Sequence, residues 1–293
     1  MSNLRPMQLG EILDGTFSIY RRHFALFMKL SLLVVWLPAS VWVYLQVRYS
    51  GLRGPDLFTA FQEHTLRSIV ILLLLLVVSS AAGLLLKAGT IQVISESYLG
   101  HEPSHGPALR LGVSKIISLL VVAISKVLLL AVIYFIGAIA VGILVVLGRL
   151  GGLAGAILLG VVGGGGLVWL LCWVACGYGV TTQAVVLEDL SSSFDAFGRA
   201  WDLTRGFRLK VLGVAVVTWL ISQFLPQIVA TTMSVVILGA SPAVQPVLVV
   251  LTSLLSILLA PVMPCALTLL YYDLRVRREG FDLQMLSQEL GIS

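Results

Sequence analysis

The chain contains runs of almost unbroken apolar residues far longer than any strand of a folded domain, and backbone chemistry leaves such runs one conformation. In hydrocarbon every N–H and C=O must be bonded within the segment, which a helix achieves and an open strand does not. A helix needs about 20 apolar residues at about 1.5 Å each to cross a core about 30 Å thick. Six segments reach that length: about Phe24 to Val47, Ser68 toward Tyr98, Ile116 to Leu147, Gly152 to Leu187, Leu209 to Leu238 and Val244 to Tyr272. Pro38 predicts a kink in the first; Gln223, Pro226 and Gln227 interrupt the fifth; Pro261 and Pro264 fall near the end of the sixth. The third and fourth exceed one crossing, so part of each is expected at an interface or strongly tilted.

Composition excludes a water-soluble globule. Hydrophobic residues make up 58% and charged ones 11%, against roughly a quarter charged in soluble domains, too few to cover a surface in water. The first 23 residues carry Arg5, Glu11, Asp14, Arg21 and Arg22 where a signal peptide has its apolar core, so the first span is expected to stay attached. Cys172, Cys176 and Cys265 all lie in apolar runs and read as packing residues, not as disulfides or metal ligands.

The basic residues flank the apolar runs instead of forming one patch, which points to lipid headgroups and away from nucleic acid. With the N-terminus inside, Arg5, Arg21, Arg22, Lys29, Lys87, Arg110, Lys115, Arg199, Arg205, Arg208, Lys210, Arg275, Arg277 and Arg278 fall on the inner side. Arg48, Arg53, Arg67 and Arg149 are left outside. That bias predicts a multi-pass protein of the bacterial cytoplasmic membrane with both termini cytoplasmic. The fold class is all-α: a polytopic helical bundle of about six spans, forming a single membrane domain over residues 1–293.

Three stretches share one plan, a short amphipathic segment, a basic cluster and then a span: LGEILDGTFSIYRRHFALF, HGPALRLGVSKIISLL and SSSFDAFGRAWDLTRGFRLKVLG. The ends of the even spans also correspond, with TIQVISESYL, TTQAVVLEDL and TLLYYDLRV each starting from a Thr. The chain therefore reads as three hairpin units, approximately 8–100, 101–190 and 191–275, with a cytoplasmic tail 276–293. All enter from one side, so the repetition is parallel and lacks the inverted symmetry of many transporters. The best-defined amphipathic segment, Ser193 to Arg205, has Ser192 or Ser193 to cap it, Asp195 in its first turn and Gly206 to end it. Its Phe194, Phe197, Trp201 and Leu203 or Thr204 recur at helical spacing, which suits a helix in the inner headgroup layer or one folded back on the bundle.

Lys126 is the formal charge deepest in an apolar run, where a buried ammonium costs roughly 2.5–3.5 kcal/mol. Either its helix starts late and the side chain reaches an interface, or it lines a cavity with the intramembrane amides Gln223 and Gln227; Gln92 and Gln183 are further amides needing partners. Small residues recur at every fourth position through Gly148, Gly152, Ala156, Gly160 and Gly164, a close-packing ladder, and Gly163 to Gly166 read as part of that contact more than as a broken helix. Arg21, Arg22, Arg199, Arg205, Arg208 and Lys210 are the candidate headgroup contacts. His101, Glu102 and His105 do not form a metal site, because Pro103 and Gly106 disfavour the helix that would align them. No nucleophile with a base, no HExxH and no intramembrane carboxylate pair is present, so no catalytic, cofactor or metal residue is assigned.

The segments RPMQLGEILDGTFSIYRRHF, VVLEDLSSSFDAFGRAWDLTRG and LTLLYYDLRVRREGFDLQML resemble the glycerophosphoryl diester phosphodiesterase membrane-domain family of multi-spanning bacterial proteins. The resemblance implies a helical bundle of the cytoplasmic membrane. It implies no catalytic residue, because the hydrolytic chemistry of that enzyme resides in a separate soluble barrel. The expected function is a non-enzymatic membrane module that binds anionic lipid headgroups at its inner face or scaffolds other membrane proteins, including further copies of itself. The competing expectation is a transporter or channel subunit with its polar cleft at Lys126, Gln223 and Gln227.

Overall fold

A computed structural model describes residues 6–49, 65–98, 105–236 and 245–280. Arg53, the His101–Glu102 pair and the tail beyond Gly280 lie outside the described residues. Every described element is helical. They are α1 (Leu9–Arg22), α2 (Phe24–Tyr49), α3 (Thr65–Tyr98), α4 (His105–Ser114), α5 (Ile116–Gly148), α6 (Gly152–Gly177), α7 (Thr181–Leu187), α8 (Asp195–Thr204), α9 (Arg208–Trp219), α10 (Leu225–Val236), α11 (Gln245–Leu259) and α12 (Val262–Glu279). Among the described residues, four helical stretches are long and apolar enough to cross a membrane: Ile69–Ser97, Ile116–Leu187, Arg208–Met233 and Val247–Glu279. The second of these folds back on itself at a tight turn, Arg149–Gly151, and so contains both α5 and α6.

The repeated plan of the sequence appears as three breaks. A short helix stops, one to three residues intervene, and a long apolar helix begins: α1 to α2 across His23, α4 to α5 across Lys115, and α8 to α9 across Arg205–Phe207. Local chemistry sets these boundaries. The Gln8 N–H donates to Glu11 at 2.6 Å and so satisfies one open donor at the start of α1. Before α8, the Ser192 N–H donates to Asp195 and the Phe194 N–H to Ser192 Oγ, and Gly206 ends that helix with φ +86. In the fifth run Pro226 has no N–H for the Ser222 carbonyl, and the chain widens to a π-turn over Leu220–Phe224 just ahead of it.

The contacts divide the chain into two compact units. The first comprises Met1–Ile116 and Val214–Leu270. Its core is apolar, with Ile12, Phe27, Leu30, Ile91, Ile94, Leu269 and Leu270 buried, and α2 packs on α3 and α11. Tyr20 stacks on Phe27 and donates its hydroxyl to the Leu258 carbonyl at 2.6 Å. At the first break, His23 Nε2 and Ser97 Oγ are 3.0 Å apart. Burial, and then the Arg22 charge, lower the His23 pKa below the ordinary histidine value.

The second unit comprises Ile117–Gly213 and Tyr271–Ser293. Helices α5 and α6 pair in antiparallel fashion from their turn outward. A Cβ at Gly148 would lie 2.6 Å from the Gly155 carbonyl, one at Gly160 3.1 Å from Val145 and one at Gly163 3.2 Å from Leu144; one at Gly137 would overlap Leu167. Gly148, Ala156 and Gly160 of the predicted ladder lie on this seam, whereas Cβ atoms at Gly152 and Gly164 would meet nothing within 4 Å. Two physical reasons separate them. Gly152 sits in the turn at φ +80, and each step of four residues rotates about 40° past a full turn, so a ladder of fours drifts off the face. The run Gly163–Gly166 lies within unbroken helix. Outward, the hairpin presents Val127, Phe135, Ile136, Leu150, Leu153 and Val161, each more than half exposed.

Gly148→Val should therefore lower stability by about 1–3 kcal/mol through overpacking, while Gly164→Ala should be neutral or gain up to about 1 kcal/mol from helix propensity. Thermal unfolding in detergent checks this; equal losses at the two positions would contradict the seam.

Candidate functional site

The second unit gathers its polar chemistry around the end of α6. A helix end leaves carbonyls without intrahelical partners, and in an apolar setting they must be satisfied by side chains. The motif Gly177–Tyr178–Gly179 closes α6, and three donors converge there. Lys126 Nζ reaches the Tyr178 carbonyl at 2.7 Å, Thr181 Oγ1 reaches the same oxygen at 2.8 Å, and Thr204 Oγ1 reaches the Gly177 carbonyl at 3.0 Å. The ammonium thus sits at the negative end of the α6 dipole. Lys126 and Tyr178 stand 26 positions either side of Gly152, so the hairpin register carries them to its far end. The helix from Lys126 to Gly148 measures about 33 Å at 1.5 Å per residue.

The small residues of this motif admit large aromatic neighbours. A Cβ at Gly177 would lie 2.5 Å from the Trp201 ring, and one at Gly179 2.7 Å from Val211. Trp201 therefore lies directly on the end of α6, with the Tyr178 ring against both it and Phe197, at 5.2 Å each. Helix α8 packs on α6 and α7 through Ala196, Ala200, Leu203 and Thr204. The buried stripe of this segment thus combines the small Ala196, Ala200 and Thr204 with Leu203, and Phe194, expected on the apolar face, is exposed.

Arg208 occupies the space beside that contact. Its guanidinium carbon lies 4.1 Å from the Trp173 ring centre and 3.9 Å from that of Trp201, a cation between two indole faces. The residue is 8% exposed, and its Nε and Nη1 have no hydrogen-bond partner among the described residues. Desolvated cation–π contacts contribute about 2 kcal/mol or more, whereas each buried donor left unmade costs about 1–3 kcal/mol. The two effects are of similar size, so the aromatic clamp positions this charge without supplying all of its stabilisation.

A charge network borders the clamp. Arg199 donates to both oxygens of Glu188 at 2.9 and 2.8 Å and pairs with Glu279. Glu188 also accepts the Tyr271 hydroxyl, and Arg275 pairs with Glu279 at 3.0 Å. Burial works against the Arg199 charge, but the bonds and charges of Glu279 and Glu188 more than offset it and raise its pKa above the ordinary arginine value. The fully buried Asp273 carboxylate is shared by Lys210 at 2.5 Å and Arg277 at 3.1 Å. Arg205, Arg208 and Arg278 have no carboxylate partner among the described residues; Arg278 Nη2 instead donates to the Arg205 carbonyl.

The candidate headgroup residues thus divide by environment. Arg199 and Lys210 are engaged with carboxylates and Arg208 is buried, while Arg21, Arg22 and Arg205 are exposed. Gln223 and Gln227 line one groove of about 560 Å³ in the first unit, together with Trp219, Phe224, Thr252, Ser253 and Ser256. Lys126, in the second unit, is not among the groove's lining residues. Sequence reasoning missed Trp173, Trp201, Glu188, Asp273 and Glu279 as partners. The available signal was the recurring span ends: Glu188 and Asp273 each follow the buried Thr181 and Thr268 by less than two helical turns.

Helical in every described element and with apolar stretches of membrane-spanning length, the chain has the make-up of a membrane protein. Residues 7–272 match the family described as Domain of unknown function (DUF7847), and the chain belongs to that family. The match makes no link to the glycerophosphoryl diester phosphodiesterase membrane domain. No curated protein and no solved structure matches the chain.

Asp273→Asn should lower stability by roughly 3–5 kcal/mol, because it removes the charge of a fully buried carboxylate that Lys210 and Arg277 share. Thermal unfolding of the purified protein checks it; a loss below about 1 kcal/mol would mean the network is no more than a solvated surface pair.

Proposed function

We propose that this chain is a non-enzymatic integral membrane protein of the bacterial cytoplasmic membrane whose inner face binds anionic lipid headgroups. The six spans are α2, α3, α5, α6, α9 with α10, and α11 with the first part of α12, arranged as three hairpin units with both termini cytoplasmic. The observation that carries the reading is the threefold recurrence of a short helix, a break and a long apolar helix, with Arg21, Arg22, Lys115, Arg205 and Arg208 at or beside the breaks. An amphipathic helix that leads through a basic break into a span sets cations at headgroup depth, where each contributes about 1 kcal/mol of attraction to an anionic leaflet. The approximate 33 Å from Lys126 to the hairpin turn supports the same depth, since it matches a hydrocarbon core and leaves the ammonium at its edge. The resemblance of three segments to the glycerophosphoryl diester phosphodiesterase membrane domain agrees with a membrane module devoid of the hydrolase. Partners of this module are membrane lipids, other membrane proteins or a second copy, and not nucleic acid.

The groove at Gln223 and Gln227 favours a second reading, a transporter or channel subunit. The Thr252 and Ser256 hydroxyls donate to their own helix, which leaves oxygen lone pairs and two amides along one groove of mixed polar and apolar lining. Solute flux across proteoliposomes separates the readings: flux that disappears in Gln223→Leu/Gln227→Leu supports the groove as a path, and flux no greater than that of protein-free vesicles removes it.

The lipid reading predicts that delipidated protein gains several degrees in melting temperature when phosphatidylglycerol is restored and gains less with phosphatidylcholine. Equal responses to the two lipids would remove it.

A further inference from the structure

The basic residues of the second unit differ in what they already hold. Arg199, Lys210, Arg275 and Arg277 are each engaged with a carboxylate. Lys126 is bound to the Tyr178 carbonyl and Arg149 lies in the hairpin turn; the remaining three, Arg205, Arg208 and Arg278, have no carboxylate partner among the described residues and meet at one four-residue loop, of which Arg205 and Arg208 are the ends and to which Arg278 donates at the Arg205 carbonyl. A Cβ on Gly206, inside that loop, would lie 3.9 Å from Arg278 Nη2.

The loop also opens a helix. The first backbone bond of α9 runs from the Val211 N–H to the Phe207 carbonyl at 3.0 Å, and the Phe207 N–H is taken by the Thr204 carbonyl, so Arg208 stands in the first turn, at the positive end of the α9 dipole, where N–H groups lack intrahelical acceptors. Cations are disfavoured at such an end unless an anion joins them. Arg208 nevertheless occupies the first helical position, more than nine-tenths buried, with Nε and Nη1 unbonded among the described residues and the plane fixed by Trp173 and Trp201. A planar guanidinium with paired donors is the group suited to a tetrahedral oxyanion.

We propose that the loop Arg205–Arg208, with Arg278, is a binding site for a phosphate group, supplied by the headgroup of an anionic phospholipid. The inference rests on the lipid-binding reading and narrows it: Arg205, Arg208 and Arg278 take the phosphate, while Arg199 and Lys210 belong to the internal network. Arg205 and Arg278 are exposed and are the contacts open to mutation; Arg208 also ties α9 to α6 and α8 and is left intact in the test.

The full chain in detergent is titrated with phosphatidylglycerol and, separately, with inorganic phosphate, and binding is followed by native mass spectrometry. Wild type should bind phosphatidylglycerol at least five-fold more tightly than Arg205→Gln/Arg278→Gln, whereas Arg21→Gln/Arg22→Gln should alter affinity less than two-fold. If Arg205→Gln/Arg278→Gln binds phosphatidylglycerol as wild type does, the site is overturned and the wider lipid reading stands. If wild type binds inorganic phosphate but no lipid, and Arg205→Gln/Arg278→Gln abolishes it, the arginine site stands with a soluble phosphate as its ligand and the lipid reading falls. If wild type binds neither, both fall.

Discussion

A helix hides its own backbone in oil everywhere except at its ends, and the rest of this structure follows from that exception. An apolar segment of thirty residues needs no polar partner along its length, but where it stops several carbonyls are left over. At the end of α6, Lys126, Thr181 and Thr204 arrive from three different helices to satisfy two of them. Those three bonds decide which helices meet there. They bring α8 against α6, and with it Trp201, whose ring occupies the space that Gly177 leaves empty. The clamp on Arg208 and the start of α9 follow from the same placement.

The breaks extend this logic to charge. A chain that leaves a short helix and enters a long apolar one must expose polar backbone for one to three residues, and such a point is where basic side chains are tolerated. Cations collected in this way repel each other unless carboxylates are placed among them. In the second unit Glu188, Asp273 and Glu279 perform that role for Arg199, Lys210, Arg275 and Arg277, and Arg205, Arg208 and Arg278 at the Arg205–Arg208 loop are not reached by them.

Helix type and the positions of the breaks were legible in the sequence because they depend on local chemistry. Apolar runs, the cap at Ser192 and Asp195, and Gly206 with its positive φ act within a few residues. What depends on register was not legible. Lys126 finds its carbonyl through a hairpin turn more than twenty residues away, so its surroundings in sequence left open whether the charge reached an interface or lined a cavity. The spacing of four that ran through Gly164 was right in chemistry but drifts around a helix, and the seam follows Gly155, Gly160 and Gly163 instead. Helix α8 buries Ala196 and Ala200 because a close approach to α6 favours small side chains, which a count of large apolar residues does not register. Arg208 looked like any basic residue beside a span, since its aromatic neighbours come from two other helices.

The topology we propose puts the three breaks on one side of a membrane and the hairpin turn on the other. Single cysteines placed by Arg22→Cys, Ser114→Cys, Arg205→Cys and Leu150→Cys, in a chain whose Cys172, Cys176 and Cys265 are replaced by alanine, can be treated in intact cells with a membrane-impermeant maleimide. The account predicts labelling at position 150 alone until the cells are permeabilised, when the other three also react. Labelling of any break position together with position 150 in intact cells would contradict it.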